Sequence, residues 1–217
     1  ALTASAMPAG VVFTGSVGAA LSINRALAMR DGPIATLIAE TGGQNAMIVD
    51  SSALPEQVVK DAVASAFRSA GQRCSALRVL YVQADIADKV VHLLQGAMRE
   101  LAIGNPADPA TDIGPIIDAD AVRRLKEHRA DMAARGYLKY QCELPESCAS
   151  GSYFAPCLAE IKAISELKEE VFGPFLHVIR YEAKDLNKVI DDINATGYGL
   201  TLGIHSRINQ SWQKIQE

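Results

Sequence analysis

The sequence has few cysteines and lacks any arrangement of them that would hold a metal ion or a disulfide framework. Its four cysteines stand at positions 74, 142, 148 and 157, without a Cys-x-x-Cys pair and without a histidine at the spacing of a zinc site. A chain of 217 residues, 49% of them hydrophobic, can bury a core without such crosslinks. We therefore expect no metal site, and each cysteine is judged from its neighbours.

An excess of basic residues and a long apolar run are also missing. The formal net charge is −4, whereas nucleic-acid-binding domains carry a basic surface. No apolar stretch reaches the ~20 residues of a transmembrane helix, and the first residues lack the basic segment of a signal peptide. We expect no nucleic-acid partner, no membrane segment and a cytoplasmic location. Residues 211–217 continue a helical pattern without a terminating Gly or Pro, so we expect a segment of a longer protein.

Short apolar strands alternate with amphipathic helices along the chain. A strand at 11–14, a helix at 17–29 and a strand at 36–39 form a βαβ unit, which implies parallel pairing. Residues 140–152 are polar and turn-rich and predict a tip or insertion. Further strands are predicted at 46–49, 78–82, 154–161, 175–181 and 200–205, and further helices at 55–70, 85–101, 119–134 and 186–194. This order is typical of an α/β fold with a mostly parallel sheet.

Cys74 lies in a polar connection between a predicted helix and a predicted strand, in the sequence Gly-Gln-Arg-Cys-Ser. The thiolate is the nucleophilic form of cysteine, and a nearby cation or oriented amides favour it. An isolated cysteine is more often a small buried hydrophobe, but this setting favours a reactive thiol. Cys142 and Cys148, in the polar region, and Cys157, in a strand, are predicted to be structural.

Glu40 closes an apolar strand and is followed by Thr41-Gly42-Gly43. This places it at the carboxyl end of a parallel sheet, where open α/β sheets bind ligands. A carboxylate at such an edge can serve as a general base, and the glycines let the backbone approach a ligand. A loop carboxylate or a helix cap is the alternative.

Two further segments could contact a cofactor. In Phe13-Thr14-Gly15-Ser16 a strand turns through glycine into a helix, and helix N-termini bind phosphate through free amides, although a full Gly-x-Gly-x-x-Gly is absent. Residues 169–174, Glu-Glu-Val-Phe-Gly-Pro, could present a carboxylate to a ribose and a ring to a flat cofactor, or form a turn with a packed Phe. Of the four histidines, those at 92 and 128 are predicted to be solvated, and those at 177 and 205 to pack within strands.

In order and spacing, these four segments resemble the signatures of the aldehyde dehydrogenase superfamily, including the 34 positions that separate Glu40 from Cys74. Residues 39–59 and 69–80 resemble, more closely, the dehydrogenase domain of bacterial bifunctional proline utilization enzymes. That branch oxidises L-glutamate γ-semialdehyde to L-glutamate with NAD in proline catabolism. The resemblance implies a fragment of the aldehyde dehydrogenase fold. Residues 1–42 would end the Rossmann-like NAD-binding domain, and residues 43–217 would form most of the parallel-sheet catalytic domain.

The resemblance also implies roles for individual residues. Cys74 would attack the aldehyde and carry a thioester, and Glu40 would activate the water that releases the acid. The residues expected to contact the cofactor are Gly15, Ser16, Thr41, Gly42, Glu170 and Phe172. Arg73 and Ser75 would contact the substrate.

NAD is the expected cofactor, with NADP as the alternative. For a longer parent protein, the resemblance implies FAD in a separate proline dehydrogenase domain and a homo-oligomer. Two other interpretations stay open. One is a catalytically incompetent structural fragment of such an enzyme. The other is a cysteine acyltransferase that works without nicotinamide, which would need a catalytic histidine beside Cys74.

Overall fold

The computed structural model describes residues 2–216 and contains two compact units, Ala1–Gly43 and Gln44–Glu217. Both units combine helices with parallel strands, so the predicted α/β class is confirmed. The assignment of residues 1–42 to a cofactor domain and of 43–217 to a catalytic domain stays a prediction.

The N-terminal unit is a βαβ element preceded by a short 3-10 turn at Leu2–Ala4. It consists of β1 (Gly10–Thr14), α1 (Val17–Ala28) and β2 (Thr36–Glu40). The two strands pair in parallel, with Gly10 opposite Thr36 and Thr14 opposite Glu40. Ser16 precedes α1, and its side chain accepts a hydrogen bond from the Ala19 N–H, as is typical of an N-cap serine.

The C-terminal unit is built on a six-stranded sheet in the order β5-β6-β7-β4-β3-β8. All neighbouring strands run parallel except β5 and β6, which are antiparallel. The strands are β3 (Ala46–Val49), β4 (Val79–Gln83), β5 (Leu138–Gln141), β6 (Cys157–Glu160), β7 (Phe175–Tyr181) and β8 (Leu202–His205).

Helices cover this sheet where the apolar periodicity predicted them. They are α2 (Pro55–Phe67), α3 (Ala84–Arg99), α4 (Ala119–Ala134), α5 (Leu186–Asn194) and α6 (Asn209–Gln216). Pro55 occupies the first turn of α2, where its missing N–H costs nothing. The Asp118 carboxylate caps α4 by accepting from the Ala121 N–H at 2.7 Å. No helix within residues 2–216 has the length and apolarity needed to cross a bilayer.

Two parts of the sequence fold differently from the prediction. The region 140–152 is not only a polar tip, because its start lies in the edge strand β5 and it buries Cys142 and Cys148. The helix predicted to reach residue 70 ends at Phe67, since Ser69 and Ala70 adopt positive φ angles of 55° and 53°. The left-handed conformation of these two residues ends the helix and changes the direction of the chain before Cys74.

Candidate active site

In the N-terminal unit, two of the predicted segments meet at one edge of the sheet. Thr14 and Glu40 are paired at the carboxyl ends of β1 and β2, and the Gly15 N–H donates to the Glu40 carbonyl at 3.0 Å. The Glu40 residue is exposed. The strand-to-helix turn and the candidate base therefore lie side by side.

The turn at Gly15-Ser16 has the features of an anion site. The N–H groups of Val17 and Gly18 open α1 and have no partner within the helix, and such groups bind phosphate. Ser16 Oγ accepts the capping bond from Ala19 at 3.2 Å, which leaves its own proton free to donate. A Cβ at Gly15 would lie 2.5 Å from the Phe13 ring, so a larger residue there would require that ring to move.

In the C-terminal unit, Cys74 lies on an exposed turn, whereas the other three cysteines are buried. Its neighbours Arg73 and Ser75 are also exposed. Burial raises the pKa of Cys142 to about 11 and that of Cys157 to about 12, so these thiols stay protonated near neutrality. Cys74 is thus the thiol placed to react.

The backbone before Cys74 is strained. Ser69, Ala70 and Gly71 have φ angles of 55°, 53° and 64°, and a left-handed conformation costs a non-glycine residue roughly 1–3 kcal/mol. A Cβ at Gly71 would lie 2.1 Å from the Gly173 carbonyl oxygen. Such strain persists only where surrounding contacts hold it.

Asn45 supplies one set of contacts, to the turn at Cys74–Ala76 that follows the strained residues. Its Nδ2 donates to the Cys74 carbonyl at 2.7 Å and to the Ala76 carbonyl at 2.8 Å, and its Oδ1 accepts from the Thr201 N–H at 3.2 Å. The side chain is buried. The sequence prediction missed Asn45, although a polar residue directly before a buried strand is a usable signal.

Arg78 supplies the second set, and it joins two predicted segments. Its guanidinium is only 1% exposed and donates to the carbonyls of Gly71, Arg73 and Gly173 at 2.7, 3.0 and 3.2 Å. It also donates twice to Glu170 Oε1, at 3.1 Å from Nε and 2.8 Å from Nη2. Arg78 thereby holds residues 71–76, which we call the Cys74 turn, next to the segment 169–174.

The pKa of Arg78 is subject to opposing effects. Burial lowers the pKa of Arg78, while the negative charges of Glu170 and of Cys74 raise it. Arginine stays protonated in proteins, so a buried cation lies under the Cys74 turn. Sequence analysis missed Arg78, and its only local signal is a charged residue that opens a buried strand.

The segment 169–174 presents a carboxylate and a ring. The Glu170 side chain is 13% exposed, and its Oε2 has no partner within residues 2–216. Phe172 is 44% exposed, with its ring centroid 5.1 Å from the Arg78 guanidinium carbon. This arrangement can offer one oxygen to a ribose hydroxyl and an aromatic face to a flat ring.

His128 is not solvated, and that prediction was wrong. It is half-buried, and its Nε2 lies 2.9 Å from His177 Nε2, because α4 packs against β7. His177 is fully buried, and its Nδ1 lies 3.1 Å from the Arg78 carbonyl oxygen. Since that oxygen only accepts, Nδ1 carries the proton and His177 Nε2 accepts from His128. Burial lowers the pKa of His177 to about 3. His92 is exposed, as predicted.

Two cavities of the C-terminal unit lie away from these residues. One of about 510 Å³ runs along α4 beside Gly151 and Ser152, and one of about 210 Å³ lies against α5. Neither is lined by a predicted site residue. Within the described part of the chain, no three His, Cys, Asp or Glu side chains are grouped as a metal site.

Comparisons with known proteins agree with the motifs. The model of the Aldehyde dehydrogenase family matches residues 1–217. Bifunctional protein PutA of Klebsiella aerogenes is 51% identical over 223 residues, covering 99% of this chain and 17% of PutA. A crystal structure of a Bradyrhizobium japonicum Proline Utilization A mutant has a TM-score of 0.95 at 55% identity, over 99% of this chain and 22% of that one.

A more distant structure contains a cofactor. The 1-pyrroline-5-carboxylate dehydrogenase from Thermus, solved with bound NAD, has a TM-score of 0.89 at 27% identity, over 100% of this chain and 42% of that one. The chain therefore spans less than half of this relative and 17% of the Klebsiella PutA.

Proposed function

Because the chain belongs to the aldehyde dehydrogenase family, we propose that it carries the nucleophile and the general base of an NAD-dependent aldehyde dehydrogenase within a longer protein. The observation that carries this proposal is the exposed Cys74 thiol on a turn that a buried cation and a buried amide hold in place, directly after a strained backbone segment at Ser69 and Ala70. Strained backbone and buried charge cluster at catalytic sites.

Cys74 acts first, as the nucleophile. Its thiolate attacks the carbonyl carbon of the aldehyde, and the new oxyanion is held in part by the Cys74 N–H, which has no acceptor within residues 2–216. NAD, when bound, would supply the acceptor for the hydride that leaves the thiohemiacetal carbon. A thioester then remains on Cys74.

Glu40 acts second, as the general base. Its carboxylate takes a proton from water, the water oxygen attacks the thioester carbon, and the carbon–sulfur bond breaks to release the acid and the thiolate. Its exposure at the end of β2 leaves the carboxylate accessible to water. The base lies in the N-terminal unit and the nucleophile in the C-terminal unit.

The residues fit the proposed cofactor. Gly15, Ser16 and the first turn of α1 would hold phosphate, with Thr41 and Gly42 next to Glu40 at the same edge. Glu170 Oε2 would accept from a ribose hydroxyl, while Oε1 stays on Arg78. The exposed ring of Phe172 would pack against the nicotinamide. NADP stays the alternative.

L-glutamate γ-semialdehyde is the proposed substrate. The support is the likeness to the PutA proteins and, at 32% identity over 95% of this chain, to a 1-pyrroline-5-carboxylate dehydrogenase from Geobacillus. Arg73 and Ser75 flank Cys74 and are exposed, so a guanidinium and a hydroxyl are available for the substrate carboxylate. For the longer protein we further propose a proline dehydrogenase domain with FAD, a homo-oligomer and a cytoplasmic location.

The acyltransferase alternative is less well supported. It needs a histidine to activate the cysteine, but the ring nitrogens of His177 are bonded to the Arg78 carbonyl and to His128.

An activity measurement distinguishes a catalytically incompetent fragment from the proposed enzyme. In the full-length protein, Cys74→Ala should abolish NADH formation from L-glutamate γ-semialdehyde while calorimetry still detects NAD binding. Retained turnover would contradict the nucleophile assignment, and absence of NAD binding to the unmodified protein would contradict the dehydrogenase.

A further inference from the structure

We propose that Arg78 is a positioning residue that couples the Glu170 carboxylate to the Cys74 turn, so that a change at Glu170 alters the reactivity of the Cys74 thiol. The cofactor role of Glu170 rests on the proposed function. The coupling itself is a property of one side-chain network and can be measured without cofactor or aldehyde.

The first support is the saturation of the guanidinium. An arginine has five N–H donors in a rigid fork, and Arg78 makes five hydrogen bonds, three to backbone carbonyls and two to Glu170. Two of the carbonyls, those of Gly71 and Arg73, belong to the Cys74 turn. A displacement of the guanidinium toward or away from Glu170 therefore changes the geometry of that turn.

The second support is the isolation of the pair from water. Arg78 is 1% exposed and Glu170 13% exposed, so solvent screens their interaction poorly. Arg78 also donates to the carbonyl of Arg73, the residue before Cys74, at 3.0 Å, so its charge lies near the place where the Cys74 thiolate would form. Glu170 partly neutralises the cation that attracts this thiolate, and the field at Cys74 therefore depends on the charge of Glu170.

The third support is the fixed backbone of Arg78. Its carbonyl accepts from the His177 N–H at 2.9 Å, and His177 Nδ1 lies 3.1 Å from the same oxygen. These two bonds hold the backbone of Arg78 in place, so any movement is confined to the guanidinium and its acceptors. The free Oε2 of Glu170 is the point at which a bound hydroxyl group would act on this network.

The test measures the rate at which iodoacetamide alkylates Cys74 in the full-length protein, without NAD or aldehyde, as a function of pH. Mass spectrometry of the peptide that contains Cys74 isolates its signal. Glu170→Gln keeps the shape of the side chain and removes its charge. The matched control is Glu169→Gln, since Glu169 is exposed and is not bonded to Arg78.

Glu170→Gln should speed alkylation at least about twofold at neutral pH, the lower end of coupling within one hydrogen-bonded network, and should move the rise of the rate to lower pH. Glu169→Gln should leave the profile unchanged. In an Arg78→Lys background, where three donors replace five, the effect of Glu170→Gln should shrink.

An unchanged or slower rate in Glu170→Gln, an equal effect of Glu169→Gln, or an undiminished effect in Arg78→Lys would each overturn the coupling. If Arg78→Lys fails to fold by circular dichroism, the comparison of the two glutamate variants decides alone. A protein that oxidises no aldehyde but shows the coupling would refute the proposed function and leave this inference standing.

Discussion

Asn45 Nδ2 bridges the carbonyls of Cys74 and Ala76, at 2.7 and 2.8 Å. The residue before β3 thus fixes the turn before β4, its parallel neighbour in the sheet. Parallel pairing brings the amino ends of the two strands together, although 29 positions separate Asn45 from Cys74 in the sequence.

Asn45→Ala should destabilise the protein by about 1–3 kcal/mol, because it removes the donor to the Cys74 carbonyl and breaks the buried bond to the Ala76 carbonyl. It should also change the alkylation rate of Cys74, since the turn loses a support. Urea unfolding measures the first effect and iodoacetamide the second. Asn187→Ala is the control, because Asn187 is exposed on α5 and should tolerate the change. Equal stability of the two variants would contradict the structural role of Asn45.

Glu40→Gln should separate the two chemical steps. A carboxamide cannot accept the proton of water, so hydride transfer would proceed and thioester hydrolysis would slow. Stopped-flow measurement on the full-length protein should then show a burst of NADH followed by little turnover. Glu143→Gln, another exposed carboxylate, should keep the steady-state rate. An unaltered rate in Glu40→Gln would remove Glu40 from the mechanism.

Local patterns predicted the parts of this fold that local chemistry determines. The start of α2 at Pro55 and the whole of α4 after Asp118 follow from capping and periodicity. The predicted residues at 40, 74, 170 and 172 were found as motifs; the catalytic roles of the first two and the cofactor-binding roles of the last two stay predictions.

Long-range contacts explain what the sequence did not reveal. Arg78 meets Glu170 across 92 positions, and His128 meets His177 across 49. The periodicity of the local sequence predicts neither of these two contacts. The edge strand β5 was missed because its sequence, Leu-Lys-Tyr-Gln, lacks the apolar run that marks strands such as β3.

Gly71→Ala should be strongly unfavourable. The new Cβ would lie 2.1 Å from the Gly173 carbonyl oxygen, at a φ of +64°, so both sterics and backbone conformation oppose it. We expect a loss of more than about 1 kcal/mol, read from the unfolding midpoint. Gly96→Ala is the matched control, because nothing lies within 4 Å of a Cβ there and alanine favours a helix interior by about 1 kcal/mol. A tolerated Gly71→Ala would show that the turn can relax.

The His128–His177 pair should make the protein sensitive to acid. Burial lowers the pKa of His177 from 6.5 to about 3 and also lowers that of His128, so the unfolded chain binds protons that the folded protein excludes. Neutral His177 therefore contributes fully to the free energy of unfolding above pH 6.5, and this contribution is lost as the pH falls from 6.5 toward 3.

Each excluded proton contributes a slope of about 1.4 kcal/mol per pH unit. His177→Phe should therefore flatten the fall in unfolding free energy between pH 6.5 and pH 5, measured by urea titration at each pH, although it lowers stability at pH 7 by removing the bond to the Arg78 carbonyl. His92→Gln, at an exposed site, should leave the slope unchanged. The same steep fall in His177→Phe as in the unmodified protein would assign the acid sensitivity to other groups.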